Sequence, residues 1–305
     1  MNQRNIPYSI VDVFTQTQFS GNPVAVIHDA RQLSDEEMQS ITVEFGFSET
    51  TFILPPENNA SDARVRIFTP VEEIPFAGHP NIGTAFAIAT NETVIGQVQA
   101  NRQLIFDELG GSVAVSLQTE NDQVTGAKIT APQALEILGN CNIELVAQCL
   151  GLPPKNIVTE RFSPCVATIG LPFAFVEVTN LDALGNIEMS IADFQQAKIQ
   201  GPETVDGFAI CVFTVLNQSD HDITIRSRVL SPLGFPPEDP ATGSASGALA
   251  ALLTPAQKTD NYGVNIEQGV EMGRPSQIRV NMPSKQSCPE IAGHCVNVSI
   301  GTLFL

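Results

Sequence analysis

Short runs rich in Val, Ile and Phe, separated by polar and turn-forming residues, recur along the chain and mark strands. Strands are expected at residues 8–14, 23–28, 50–54, 63–68, 94–99, 103–107 and 112–118. In the second half they are expected at 165–169, 172–178, 207–215, 222–229, 262–268, 276–281 and 294–303. Helical signals are fewer. SDEEMQSITVEF (34–45) opens with Ser34 and carries Glu37 three positions on, the pattern of a capping box. A further helix is expected near 190–197. The segments 80–90 and 244–253 are apolar or small on nearly every side, which marks buried helices.

The order of these elements repeats. GNPVAVI (21–27) is echoed by GLPFAFV (170–176), RIFTP (66–70) by RVLSP (228–232), and PFAGH (75–79) by PATGS (240–244). Three matches in one order indicate an internal duplication and two similar lobes of ordinary domain size. Many strands with few helices then predict an α+β protein, each lobe a curved sheet around one buried helix. The polar stretch TENDQV (119–124) is the expected boundary, giving lobes 1–121 and 122–294 with the active site in the cleft between them. The final strand, about 295–305, is a candidate to return to the first lobe.

Composition narrows the partners. The 305 residues carry 15 Lys+Arg against 33 Asp+Glu, a formal net charge of −18. Such a chain repels polyanions, which excludes nucleic acid and anionic membrane as partners. The opening residues contain no apolar core of a signal sequence, and no run reaches the length of a membrane span, so a cytoplasmic location is expected. The six cysteines form no C-x-x-C pair and the four histidines no metal-binding spacing, so neither a metal nor a disulfide framework is expected.

Two loops carry the candidate chemistry. Each places a proline and a glycine directly before a helix of small residues: Gly78 in the first lobe, Gly243 in the second. First-turn N–H groups lack intrahelical partners, and glycine lets a ligand approach the backbone, so each loop suits a carboxylate. Either glycine alone reads as an ordinary turn residue; their recurrence in the repeat favours a pair of anion cradles. His79 follows Gly78 at a helix start, where the dipole favours the neutral ring. Asp239 and Ser244 flank Gly243, and both are also plausible helix caps. Glu49, within GFSETTFIL, stands between Ser48 and Thr50, whose hydroxyls could orient its carboxylate. If buried, it would be suited to proton transfer.

DVFTQTQFSGNPVAVI, the SETTF around Glu49, RIFTPVEEIPFAGHPNIGTA and EDPATGSASGALAA, in this order across the whole chain, resemble the phenazine-biosynthesis isomerase (PhzF-like) family. The resemblance implies the diaminopimelate epimerase-like fold, with two pseudo-symmetric lobes, each a β-barrel-like sheet around a central helix. It also implies cofactor-independent isomerisation of a small carboxylate-bearing substrate and a homodimer. By the same resemblance Glu49 is the acid/base that shuttles the proton, and His79, Asp239 and Ser244 bind substrate polar groups and assist it. Backbone N–H groups near Gly78 and Gly243 would hold the carboxylate.

Epimerases of that fold use one thiol at each central helix start. Here no cysteine precedes Cys141 and none lies between 212 and 287, so the two-thiol route is closed and a single-glutamate shuttle remains. Cys165 and Cys211 lie in apolar strand contexts and read as core residues. The competing function is a carboxylate-binding protein of the same fold without turnover. A dinucleotide oxidoreductase is disfavoured because G-x-G-x-x-G is missing.

Overall fold

The computed structural model describes residues 4–91, 102–257 and 259–305. The strand expected at 94–99 lies outside them. In chain order the elements are β1 (Asn5–Val13), β2 (Asn22–Ile27), α1 (Asp35–Phe45), β3 (Glu49–Leu54), β4 (Ala63–Phe68), β5 (Glu73–Ile74), α2 (Gly78–Thr90), β6 (Gln103–Glu108), β7 (Gly111–Glu120) and β8 (Gln123–Thr130). There follow β9 (Glu136–Asn140), α3 (Ile143–Cys149), β10 (Ile157–Val158), β11 (Cys165–Thr168), β12 (Pro172–Val178), α4 (Leu181–Gly185), α5 (Ile191–Gln200), β13 (Ile210–Gln218) and β14 (Asp222–Leu230). The last elements are β15 (Glu238–Asp239), α6 (Gly243–Leu252), β16 (Tyr262–Gln268), β17 (Ser276–Met282) and β18 (Glu290–Phe304).

Two compact units divide the chain: residues 1–129 with 292–305, and residues 130–291. The boundary expected at 119–124 is instead the turn of the β7–β8 hairpin, with Asn121 and Asp122 both at positive φ (50° and 63°). Asn and Asp tolerate that conformation, which matches a tight hairpin to the strand twist, so a polar run here makes a turn and not a linker.

In the first unit the strands close on themselves. Pairing runs β1–β2–β3–β4–β6–β7–β8–β18 and back to β1, an eight-stranded barrel. Helix α2 fills it, packing on β1, β2, β3 and β7. Its residues from His79 to Ile88 are all buried, so an apolar surface on every side is what the barrel interior demands. The fit is close. A Cβ at Gly83 would stand 2.5 Å from Val24 Cγ1 and 2.9 Å from Val13 Cγ2. On the outside of the sheet, α1 lays Met38 and Ile41 against Phe52, Phe68 and Ile27. Its capping box forms as expected, with Ser34 accepting from Glu37 N–H and the Glu37 side chain accepting from Ser34 N–H.

The second unit repeats the plan. Strands β9, β11, β12, β13, β14, β16 and β17 pair successively. From β11 onward the pairings run antiparallel, parallel, antiparallel, parallel, antiparallel, the same succession found from β1 onward. Helix α6 takes the place of α2, packs on β11, β12, β16 and β17, and buries every residue except Ser244. A second layer of α3, α4 and α5 covers Val176, Ile210 and Val212 from outside, with Phe194 and Phe208 at its centre.

Elements β5, β8, β9, β10, β15, α3 and α4 have no counterpart among the expected ones. Half-exposed β8 mixes Lys, Gln and Thr into its apolar positions, and α3 is only two turns long, so neither carries a clean period.

Candidate active site

Strand registers bring the first unit's candidates to one rim of the barrel. Val13 at the end of β1 pairs with Asn22 at the start of β2, and Val24 lies beside Glu49 at the start of β3. At this rim α2 begins, with Gly78 and His79 as its first two residues. Glu49 Oε2 lies 3.5 Å from His79 Nδ1, with side-chain exposures of 16% and 6%. Glu49 is thus half-buried, beside a buried imidazole.

Burial pushes the His79 pKa down to about 3, outweighing a hydrogen bond to the Pro23 backbone that acts in the opposite direction. The imidazole is neutral across the physiological range. Its Nε2 is buried and makes no hydrogen bond among the described residues. One expectation fails here. Thr50 does not orient Glu49: its hydroxyl is buried without a hydrogen-bond partner among the described residues, because alternation along β3 turns it to the other face of the sheet.

In the second unit, β15 ends at Asp239 and α6 starts at Gly243, with Ser244 next. Neither Asp239 nor Ser244 caps the helix; the N-cap position is Thr242. Asp239 Oδ2 accepts from the Thr242 hydroxyl at 2.5 Å. Fully buried Gln268 ties the loop down. Its Nε2 donates to Asp239 O (2.7 Å) and Thr242 Oγ1 (3.1 Å), and its Oε1 accepts from Thr242 N–H (3.1 Å). Ser276 Oγ donates to Pro240 O at 2.8 Å.

Helices α1, α3, α4 and α5 each carry a side-chain N-cap: Ser34, Asn142, Asn180 and Ser190. Neither α2 nor α6 does, and neither has an acidic residue in its first turn. A buried helix start ordinarily has its donors engaged, so two uncapped starts at equivalent places keep their positive ends suited to an anion.

Sequence reading passed over the groups that hold these loops. Arg66 on β4 forms a two-point ion pair with Glu73 on β5 (2.7 and 2.6 Å), and Arg228 on β14 forms the same pair with Glu238 on β15 (2.8 and 2.9 Å). Arg228 also donates to Leu184 O at 3.0 Å. Planar two-point bonding sets orientation as well as distance, so each clamp fixes the strand pair leading to a central helix. The signal was in the sequence: both arginines open the RIFTP/RVLSP repeat.

All six cysteines are free, and Cys165 and Cys211 are buried, as their strand contexts indicated. Burial pushes the thiols of Cys165 and Cys211 up to about 11 and about 12, which removes them as nucleophiles at neutral pH. Among the described residues no group of three or more His, Cys, Asp or Glu is placed to hold a metal ion, and no helix is long and apolar enough to cross a membrane.

Residues 11–301 match the family model described as phenazine biosynthesis-like protein. The chain belongs to that family. This PhzF-family protein is 35% identical to an uncharacterized isomerase of Mesorhizobium japonicum over the full length of both chains. It is 33% identical to the trans-2,3-dihydro-3-hydroxyanthranilate isomerase of Pseudomonas chlororaphis, covering 98% of this chain and 99% of that one. Family and relatives together identify it as an isomerase. A PhzF-family protein of Bacillus anthracis superposes with a TM-score of 0.83 at 23% identity, over 99% of this chain and 100% of that one. A hydroxyproline epimerase of Agrobacterium vitis superposes with a TM-score of 0.60 at 13% identity, covering 99% and 93%. The PhzF-family chain therefore shares its α+β fold with epimerases of the racemase type.

Proposed function

We propose that this isomerase moves a proton between carbons of a small, carboxylate-bearing substrate without a cofactor, Glu49 taking the proton from one carbon and returning it to another. The observation that carries the reading is the Glu49–His79 pair at the start of an uncapped buried helix. A neutral imidazole beside the carboxylate can hydrogen-bond to it or to the substrate without locking it in an ion pair, which leaves the glutamate basic enough to act. Asp239 and Ser244 are assigned to substrate polar groups, and the first-turn N–H groups at Gly78 and Gly243 to the carboxylate. A cyclic amino acid of the dihydro-hydroxyanthranilate type is the first substrate to test, since that compound appears in the names of several relatives.

The test is deuterium incorporation in D2O, followed by NMR, for wild type and Glu49→Gln with trans-2,3-dihydro-3-hydroxyanthranilate and a panel of small cyclic and acyclic carboxylates. Glutamine keeps shape and hydrogen bonding but carries no titratable proton. Loss of the acid/base is expected to cost at least about 10²-fold in exchange rate with binding retained. Full exchange by Glu49→Gln on a wild-type substrate would remove the assignment. Binding by both proteins with exchange by neither would favour a carboxylate-binding protein without turnover.

A further inference from the structure

Glu108, the last residue of β6, has no role in that reading. It leads into the turn whose Gly110 is hydrogen-bonded to Pro75, three residues before the start of α2. The residue is half-buried, yet both carboxyl oxygens are sealed from solvent and make no hydrogen bond among the described residues. A long acidic side chain ordinarily covers its stem and keeps its head in water. Here the head is turned inward, and among the described residues it makes no ion pair. Such a group remains buried only as the neutral acid. Consistent with this, burial pushes its pKa up to about 8, the Asn81 side chain acting in the opposite direction.

Asn81 links this carboxyl to the site. It is fully buried in the first turn of α2, its Nδ2 donates to Ala77 O at 3.0 Å, and its Oδ1 makes no hydrogen bond among the described residues. Ala77 is the residue before Gly78 and His79. An unused amide acceptor beside a neutral carboxylic acid is a complementary pair. The turn after β6 is anchored to the same loop, since Gly110 N–H donates to Pro75 O at 2.9 Å. A Cβ at Gly110 would stand 2.8 Å from that oxygen, so the approach depends on glycine.

We propose that Glu108 is a positioning residue for the Glu49–His79 pair: a neutral acid whose O–H serves the Asn81 amide and, through the Asn81–Ala77 hydrogen bond, sets the Ala77–His79 turn. As a statement about turnover this rests on the proton-transfer reading; as a statement about His79 it does not. Three full-length variants test it, with 15N NMR of the His79 imidazole, thermal melts, and kcat and KM for exchange as readouts. Glu108→Gln keeps a neutral donor and is expected to leave the His79 resonances in place and kcat within a few-fold of wild type. Glu108→Leu leaves the buried Asn81 acceptor unpaired, so it is expected to lower Tm while displacing the His79 resonances and lowering kcat roughly tenfold or more, with KM little changed.

Glu108→Asp withdraws the acid by one methylene and is expected to displace His79 in the same way, which keeps the test decisive should the leucine variant fail to fold. Unmoved His79 resonances in both Glu108→Leu and Glu108→Asp would reduce Glu108 to a structural passenger. A Gln variant as impaired as the Leu variant would mean that the proton, and not the hydrogen bond, matters, and would overturn the positioning role. Should wild type itself exchange no acid, the isomerase assignment of Glu49 fails and the His79 spectra alone judge this inference.

Discussion

Burial removes charge from His28 as it does from His79. The His28 ring lies in the first unit's interior, 4% exposed, with Nε2 2.7 Å from Ser9 Oγ, and its pKa is pushed down to about 4. The unfolded chain, with an ordinary imidazole near 6.5, binds the proton more tightly, so stability falls as pH drops from 6.5 toward 4 and is complete above 6.5. A shift of that size corresponds to about 3 kcal/mol. Urea unfolding of wild type and His28→Gln at pH 7 and pH 4 is expected to show a smaller acid loss in the variant, by up to about that amount. Parallel losses would contradict the burial argument. At this scale residue types were readable from the sequence: a glutamate among hydroxyls, a histidine at a helix start. Whether Glu49 is buried, and that Thr50 faces away from it, depended on the sheet around them.

Close approach, more than propensity, explains the central helices. Replacing glycine by alanine in a helix ordinarily stabilises it by about 1 kcal/mol. Gly83→Ala is expected to do the reverse, because its Cβ would meet two branched side chains of β1 and β2, and overpacking of this kind costs about 1–3 kcal/mol. At Gly247 the nearest atom is the mobile tip of Ile169, 2.6 Å away, so the alanine there is expected to cost less. Chemical denaturation of the two variants checks both the sign and the ranking. The helices themselves were legible as all-round apolar segments, and α1 as a capping box. The Arg66–Glu73 and Arg228–Glu238 clamps were not read, because a charged residue in a strand has its partner chosen by register, and the partners lie seven and ten residues away across two-residue strands.

The whole molecule carries a net charge of −18, and its self-repulsion opposes compactness. Raising NaCl from about 0.01 M to about 0.5 M screens that repulsion, so Tm is expected to rise despite the weakening of surface ion pairs. A falling Tm would mean that the ion pairs outweigh the net charge. The duplication belongs to this scale as well. Three short sequence echoes announced it, and the matching succession of strand pairings and the two arginine clamps express it in three dimensions. The sequence by itself determined what depends on neighbours along the chain: element type, caps, the repeat, the family and the residues able to carry a proton. Only the tertiary structure decided what depends on distant segments. It closed β18 onto β1 and β8, turned the polar run at 119–124 into a hairpin, and set half-buried Glu49 beside buried His79. It also turned the Glu108 carboxyl inward beside Asn81. Desolvation and register arise from residues far apart in sequence, and no local pattern encodes them.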